Sequence, residues 1–60
     1  MNARQFKRWL AKQGCTFEPG KGGHLIVRRN GRRSVLPMHG SRKELGKGLV
    51  EKIKKDLDLT

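Results

Sequence analysis

The stretch His24-Leu25-Ile26-Val27-Arg28-Arg29-Asn30-Gly31-Arg32-Arg33-Ser34-Val35-Leu36-Pro37 predicts a β-hairpin, and the rest of the fold is built around it. Residues typical of strands flank Asn30-Gly31, the pair favoured in a two-residue type I′ turn because both of its positions take a positive φ. Such a turn also sets the register, since each residue must lie opposite its counterpart across the turn. The expected pairs are Arg29 with Arg32, Arg28 with Arg33, Val27 with Ser34, Ile26 with Val35, Leu25 with Leu36 and His24 with Pro37.

Alternation along the two strands sorts their side chains onto two faces of the sheet. The face with the larger apolar set, which we assign to the helices, carries Leu25, Val27, Leu36 and Met38. The other face carries His24, Ile26, Arg28, Arg33 and Val35. His24 is therefore expected to share an open face with Arg28 and Arg33.

A helix is expected on each side of the strands. Asn2 and Gln5 have the spacing of a capping pair, and the apolar residues after them recur at helical intervals, which predicts a helix over residues 3–13. A second set of apolar residues at helical spacing consists of Leu49, Val50, Ile53 and Leu57. It predicts a second helix over residues 48–57.

The segments between these elements complete the predicted fold. Residues 15–18 alternate apolar and polar and predict a short strand that ends at Pro19-Gly20. The Ser-x-x-Glu spacing from Ser41 to Glu44 could start one helical turn. Residues 1–60 are thus expected to form a single domain with an α+β, α-β-β-β-α two-layer fold, in which two helices cover one face of a three-stranded antiparallel sheet.

The charge of the chain indicates an acidic partner. Fifteen Lys and Arg stand against five Asp and Glu, and the formal net charge of +10 favours a polyanion or an acidic protein. No apolar run reaches the roughly 18 residues of a membrane span, so we expect no membrane partner and a cytoplasmic location.

Cys15, His24 and His39 lack the spacing of a zinc site. No metal or other cofactor is therefore expected, and Cys15 should be a small core residue.

Four arginines bracket the turn of the hairpin, namely Arg28, Arg29, Arg32 and Arg33. The register sets like charges opposite each other, which destabilises a hairpin by up to about 1 kcal/mol per pair. A ligand's negative charge explains such a tip better than folding does, and the guanidinium fork suits phosphate and carboxylate. A merely solvated tip and an acidic protein ligand are the alternatives that the residues leave open.

His24 follows the stretch Lys21-Gly22-Gly23, and its chemistry suits RNA cleavage. Imidazole titrates near neutral pH, so it can take a proton from a 2′-hydroxyl or give one to the leaving 5′-oxygen, with the nucleophile supplied by the substrate. Gly22 and Gly23 would let the backbone approach the phosphodiester, and their amides with Lys21 could stabilise charge on it. From the residues alone, a structural role is the commoner one for such a histidine.

The second histidine, His39, could form an acid and base pair with His24 or serve as an ordinary loop residue.

Six short segments follow one another in an order that is typical of a known family. They are Gln5-Phe6-Lys7-Arg8-Trp9-Leu10, Gln13-Gly14, Gly22-Gly23-His24, Gly31-Arg32-Arg33-Ser34-Val35, Pro37-Met38-His39 and Lys52-Ile53-Lys54-Lys55-Asp56-Leu57. In this order, and over nearly the whole chain, they resemble the HicA toxins of HicA–HicB toxin–antitoxin systems, small ribonucleases with a double-stranded-RNA-binding-domain-like fold. The family's catalytic histidine falls on His24, and Gly23 stands where the family usually has serine.

The resemblance implies a metal-independent endoribonuclease that cleaves messenger RNA and so inhibits translation. It also implies a HicB-like antitoxin that covers His24, and we expect the free toxin to be monomeric. In this interpretation His24 is the general acid or base, and Lys21, Gly22, Gly23 and the four tip arginines bind phosphates. The alternative is a non-catalytic RNA-binding module that blocks translation by occupancy, which would bind RNA with a steep salt dependence and produce no new RNA ends.

Overall fold

A computed structural model describes residues 1–38, 40 and 42–60 of the chain, so His39 and Ser41 lie outside the described residues. In chain order the elements are helix α1 (Ala3–Lys12), strand β1 (Thr16–Pro19), a short 3₁₀ helix (Lys21–Gly23), strands β2 (His24–Arg29) and β3 (Arg32–Pro37), and helix α2 (Lys47–Asp56). The three strands form one antiparallel sheet in the order β1-β2-β3. The predicted α+β order of helix, three strands and helix is therefore confirmed.

The β2–β3 hairpin has the register that its turn predicts. His24 lies opposite Pro37 and Arg28 lies opposite Arg33, with the remaining pairs in step. Asn30 and Gly31 have φ values of 50° and 79°, both positive as a type I′ turn requires. Since register decides which side chains share a face, this local turn also fixes the position of His24 on the sheet.

The predicted helix ends agree with the structure to within one residue. At the start of α1, the main-chain N–H of Gln5 donates to Oδ1 of Asn2, and the N–H of Asn2 donates to Oε1 of Gln5, each over 2.9 Å. This reciprocal pair is the predicted capping box. Helix α2 begins after Gly46, which makes no side-chain cap.

Two predicted segments differ from the structure. Strand β1 was expected over residues 15–18, yet it spans Thr16–Pro19, and Pro19 is paired with Leu25. An edge strand tolerates proline, because a residue without an N–H interrupts only one side of the ladder there. The helical turn predicted from Ser41 to Glu44 falls partly outside the described residues. Glu44 pairs with Asn2 in an isolated β-bridge. Its carboxylate forms an ion pair with the amino-terminal ammonium group of Met1.

The core lies between the sheet and the two helices. Its buried apolar residues are Ala3, Phe6, Leu10, Cys15, Val27, Leu36, Ile53 and Leu57. The side chains of Val27 and Leu36 come from the face that was assigned to the helices, whereas Val35 on the opposite face is 43% exposed. Cys15 is buried as expected, and its burial raises the pKa of the thiol. The sheet therefore has one covered face and one open face, and His24 belongs to the open one.

One polar group on the covered face is satisfied by helix α2. The buried Ser34 hydroxyl donates to Oδ2 of Asp56 over 2.9 Å, and the ammonium group of Lys52 donates to the same oxygen over 3.0 Å. The hydrogen bonds from Lys52 and Ser34 both lower the pKa of Asp56, and the bond from Lys52 has the larger effect. This carboxylate thus links β3 to α2 while it is ionised.

The link should give the protein a stability that is lost in acid. Because the pKa of Asp56 is lower in the folded state than the usual value of about 3.9, its contribution is present above that value and disappears as the pH falls through the folded pKa. We expect Asp56→Asn to lower the melting temperature at pH 6, and this difference from the wild type to shrink as the pH falls below the usual carboxyl pKa of about 3.9. Thermal melts of both proteins across this range measure the difference. A difference in melting temperature that stays constant with pH would contradict the stabilising role of the Asp56 carboxylate.

Candidate active site

His24 is the first residue of β2 and follows the 3₁₀ helix directly. Its main-chain N–H donates to the carbonyl oxygen of Lys21, and its own carbonyl oxygen accepts the N–H of Gly20 over 2.8 Å. Its Cα is also in register with Pro37 of β3. The backbone of this half-buried histidine is therefore held by hydrogen bonds on the 3₁₀ side and by the sheet.

The glycines beside His24 are required by the path of the backbone. Gly22 and Gly23 have φ values of 63° and 76°, in the left-handed region that side chains with a Cβ disfavour. A Cβ at Gly20 would lie 3.1 Å from the main-chain oxygen of His24, closer than an ordinary contact. Lys21, Gly22 and Gly23 are all exposed, so the structure brings the three predicted loop residues together around His24 with their surfaces open.

Arg28 and Arg33 share the open face with His24, as expected, but at its far end. They are a cross-strand pair next to the turn, while His24 lies four residues back along β2, about 13 Å away at 3.3 Å per residue. A single phosphate cannot contact both places. An extended strand of nucleic acid can.

The structure adds an ion pair that the sequence had not indicated. Nε of Arg28 donates to Oε1 of Glu18 over 2.5 Å, across the β1–β2 pair, and both side chains are about half exposed. The guanidinium group keeps further donors, since five N–H bonds are present and this contact uses the one on Nε. Arg33 forms no ion pair with any residue of the described chain. Of the cross-strand pair, Arg33 is therefore the less neutralised cation.

Arg29 and Arg32 lie on the other face of the hairpin, away from His24. The Nε of Arg29 donates to the carbonyl oxygen of Gln13, and its Nη1 donates to that of Leu57, each over 3.1 Å. These two carbonyls belong to the residues that cap the C-terminal ends of α1 and α2. Arg29 thus satisfies carbonyls that have no partner within a helix, at the end where the macrodipole favours a cation. Arg32 is exposed beside it.

The other predicted features concern His39 and metal binding. His39 lies outside the described residues, so its proposed pairing with His24 remains a prediction from the sequence. Over residues 1–38, 40 and 42–60, no three His, Cys, Asp or Glu side chains are grouped so that they could hold a metal ion. Within the same part of the chain, no helix has the length and apolar character needed to cross a bilayer.

Comparisons with known proteins agree with this arrangement. A family model described as the HicA toxin of bacterial toxin–antitoxin systems matches residues 3–59. A protein of Pseudomonas fluorescens (strain Pf0-1) named "Probable mRNA interferase HicA" is 48% identical over 59 residues, which cover 98% of this chain and 97% of that protein. In the crystal structure of the E. coli HicAB toxin–antitoxin complex, a chain with 41% identity superposes with a TM-score of 0.82, covering 93% of this chain and 95% of that one. From the family match and the identity over nearly its full length, the chain belongs to the HicA toxin family.

Proposed function

We propose that this chain is an mRNA interferase, the toxin of a toxin–antitoxin pair, and that it cleaves RNA with His24 as the general acid or base. The observation that carries the proposal is the position of His24 on the open face of the sheet, next to an exposed glycine loop and on a protein with a net charge of +10. The name of the 48% identical relative, an mRNA interferase, supports the same activity.

The chemistry needs one proton acceptor or donor close to the scissile phosphodiester. The 2′-hydroxyl of the RNA attacks the adjacent phosphorus, the bond to the 5′-oxygen breaks, and a 2′,3′-cyclic phosphate and a free 5′-hydroxyl result. In the proposal, the imidazole of His24 removes the proton from the 2′-hydroxyl or supplies one to the departing 5′-oxygen. Because the substrate provides the nucleophile, the step does not call for a metal-bound water.

Binding of the phosphates is assigned to the residues that share the surface with His24. Lys21 and the amides of Gly22 and Gly23 lie beside the histidine, where they can stabilise the negative charge of the pentacoordinate phosphorus. Arg28 and Arg33 would hold the strand further along the open face. We leave Arg29 out of this set, because its guanidinium donates to the ends of the two helices.

The proposed protein partner is a HicB-like antitoxin that covers His24. The E. coli structure that this chain resembles is a complex of that kind. An antitoxin bound to the open face would contact both the ring of His24 and the Arg28–Arg33 pair. It would therefore exclude RNA from the histidine and from the two arginines at once. We place this activity in the cytoplasm, where messenger RNA is translated.

The test of the proposed function separates cleavage from occupancy. RNA incubated with the purified protein in excess EDTA should be converted to shorter fragments, as seen on a denaturing gel. Addition of the cognate antitoxin before the RNA should prevent this. RNA that is bound but remains intact under these conditions would support the alternative, a module that blocks translation by occupancy, and would contradict the proposal.

A further inference from the structure

A basic cavity lies on the helix side of the molecule, outside the site described above. Its volume is about 380 Å³, and its lining consists of Arg4, Lys7, Arg8, Ala11 and Met38. The three cations come from one side of α1, and Met38 follows the end of β3. None of the three forms an ion pair with a residue of the described chain. The cavity is therefore a concentration of positive charge that no carboxylate of its own lining offsets.

The charges in this cavity do not help α1 to form. Arg4 is followed by Lys7 three residues later and by Arg8 four residues later, spacings at which like charges on a helix repel each other. The first turn of α1 holds no acidic residue, and Arg4 lies there, near the positive end of the helix macrodipole. Three cations held together against these preferences are better explained by an anionic ligand than by folding.

The cavity lies at the same end of the sheet as His24. The contacts of Arg29 place the C-terminal end of α1 next to the hairpin turn, so the N-terminal end of this helix points toward the opposite end, where β2 begins with His24. The main-chain N–H of Met38, which lines the cavity, donates to the carbonyl oxygen of Gly23 over 3.2 Å. The Gly22-Gly23 loop thus connects the cavity on one side with His24 on the other.

We propose that this cavity binds phosphates of the RNA strand next to the bond that is cleaved, so that the substrate passes from the open face around the Gly22-Gly23 loop onto α1. The proposal rests on the proposed function. No aromatic ring lines the cavity, so its contacts would be with phosphates and would not distinguish bases. An acidic protein is the less suitable ligand, because only Ala11 and Met38 offer the apolar centre that a protein interface usually has.

The experiment measures RNA binding without cleavage. In a His24→Ala background, the dissociation constant of a single-stranded RNA is determined across a series of salt concentrations. Each phosphate contact on a single strand contributes about 0.7 to the slope of log K against log salt, so replacing Arg4, Lys7 and Arg8 with Gln should reduce the slope by about 2. A matched control replaces three exposed lysines that do not line the cavity, Lys43, Lys47 and Lys55, with Gln. It removes the same charge and should change the slope by less than about 0.7.

A second variant guards against loss of the fold. The ammonium group of Lys7 lies 5.4 Å from the centre of the Phe17 ring, so its replacement could disturb packing. Arg4→Gln with Arg8→Gln leaves Lys7 in place and should reduce the slope by about 1.4. Equal slopes for this variant and the control would overturn the proposal. So would an unchanged slope together with weaker antitoxin binding, which would assign the cavity to the protein partner. Failure of the wild type to cleave RNA in EDTA would instead count against the proposed function, since the slope is measured without cleavage.

Discussion

His24→Ala should lower the rate of RNA cleavage by about 10² to 10⁴-fold, the range that a positioned general acid or base contributes. The loss should appear in the rate at saturating RNA, since the phosphate contacts proposed for Lys21, Arg28 and Arg33 do not involve the imidazole. In cells, the same change should abolish the growth arrest caused by the toxin. Single-turnover cleavage of a defined RNA by the two proteins measures the effect.

The substitution should leave the fold intact, which makes the result interpretable. Main-chain hydrogen bonds hold His24 at the start of β2, and these bonds survive the loss of the ring. His39→Ala is the matched control, because it removes the other histidine of the chain. A single-histidine site predicts little loss for this variant, while a loss comparable to that of His24→Ala would replace it with an acid and base pair. Full cleavage by His24→Ala would refute the catalytic assignment.

Arg29→Ala should destabilise the protein by about 1 to 2 kcal/mol. Because Arg29 is only partly buried, each of its hydrogen bonds is taken at the ordinary net value of about 1 kcal/mol, and the substitution removes the two that join the ends of α1 and α2 to the hairpin. Relief of the repulsion between Arg29 and Arg32 offsets up to about 1 kcal/mol of that loss. In a domain of this size, the melting temperature should fall by about 5 to 15 °C.

Thermal unfolding followed by circular dichroism measures this change. Arg32→Ala is the matched control, because it removes the opposing, exposed arginine of the same rung and should leave the melting temperature unchanged or slightly higher. Arg29→Lys should be intermediate, since a lysine keeps the charge near the helix ends but cannot donate through a planar fork. If Arg29→Ala and Arg32→Ala had the same melting temperature, the structural role assigned to Arg29 would be wrong.

The hairpin shows why much of this fold can be predicted from the sequence. Asn30-Gly31 determines a turn type, the turn determines the register, and the register places His24, Arg28 and Arg33 on one face. Each of these steps is local. The capping box of Asn2 and Gln5 is local too, which explains why the start of α1 was predicted correctly.

The remaining features depend on contacts between elements that are distant in sequence. The ion pair of Glu18 with Arg28 depends on the register of β1 against β2. No tight turn joins these strands, so their register could not be predicted from the sequence. The role of Arg29 depends on where both helices end relative to the hairpin. For this reason four similar arginines were grouped as one phosphate-binding set, although one of them holds the helices. The basic cavity likewise exists only because α1 packs beside Met38.

The candidate site was predictable in position but not in function. Strand alternation placed His24 on an open surface, yet a histidine at the start of a strand has structural roles as readily as catalytic ones. The resemblance to the HicA toxins decided between them at the level of sequence, and the family match over residues 3–59 confirms that resemblance.

The measurement that tests the catalytic role of His24 most directly compares two RNAs that differ by one oxygen atom. One is an all-ribose strand with a mapped cleavage position, and the other carries a single 2′-deoxynucleotide on the 5′ side of that position. In EDTA, the wild-type protein should cut the first RNA to give a 2′,3′-cyclic phosphate and a 5′-hydroxyl end, and it should leave the second intact at that position. His24→Ala should cut the first RNA at least about 100 times more slowly than the wild type. Cleavage of the deoxy-substituted position, or cleavage by His24→Ala at the wild-type rate, would contradict the account.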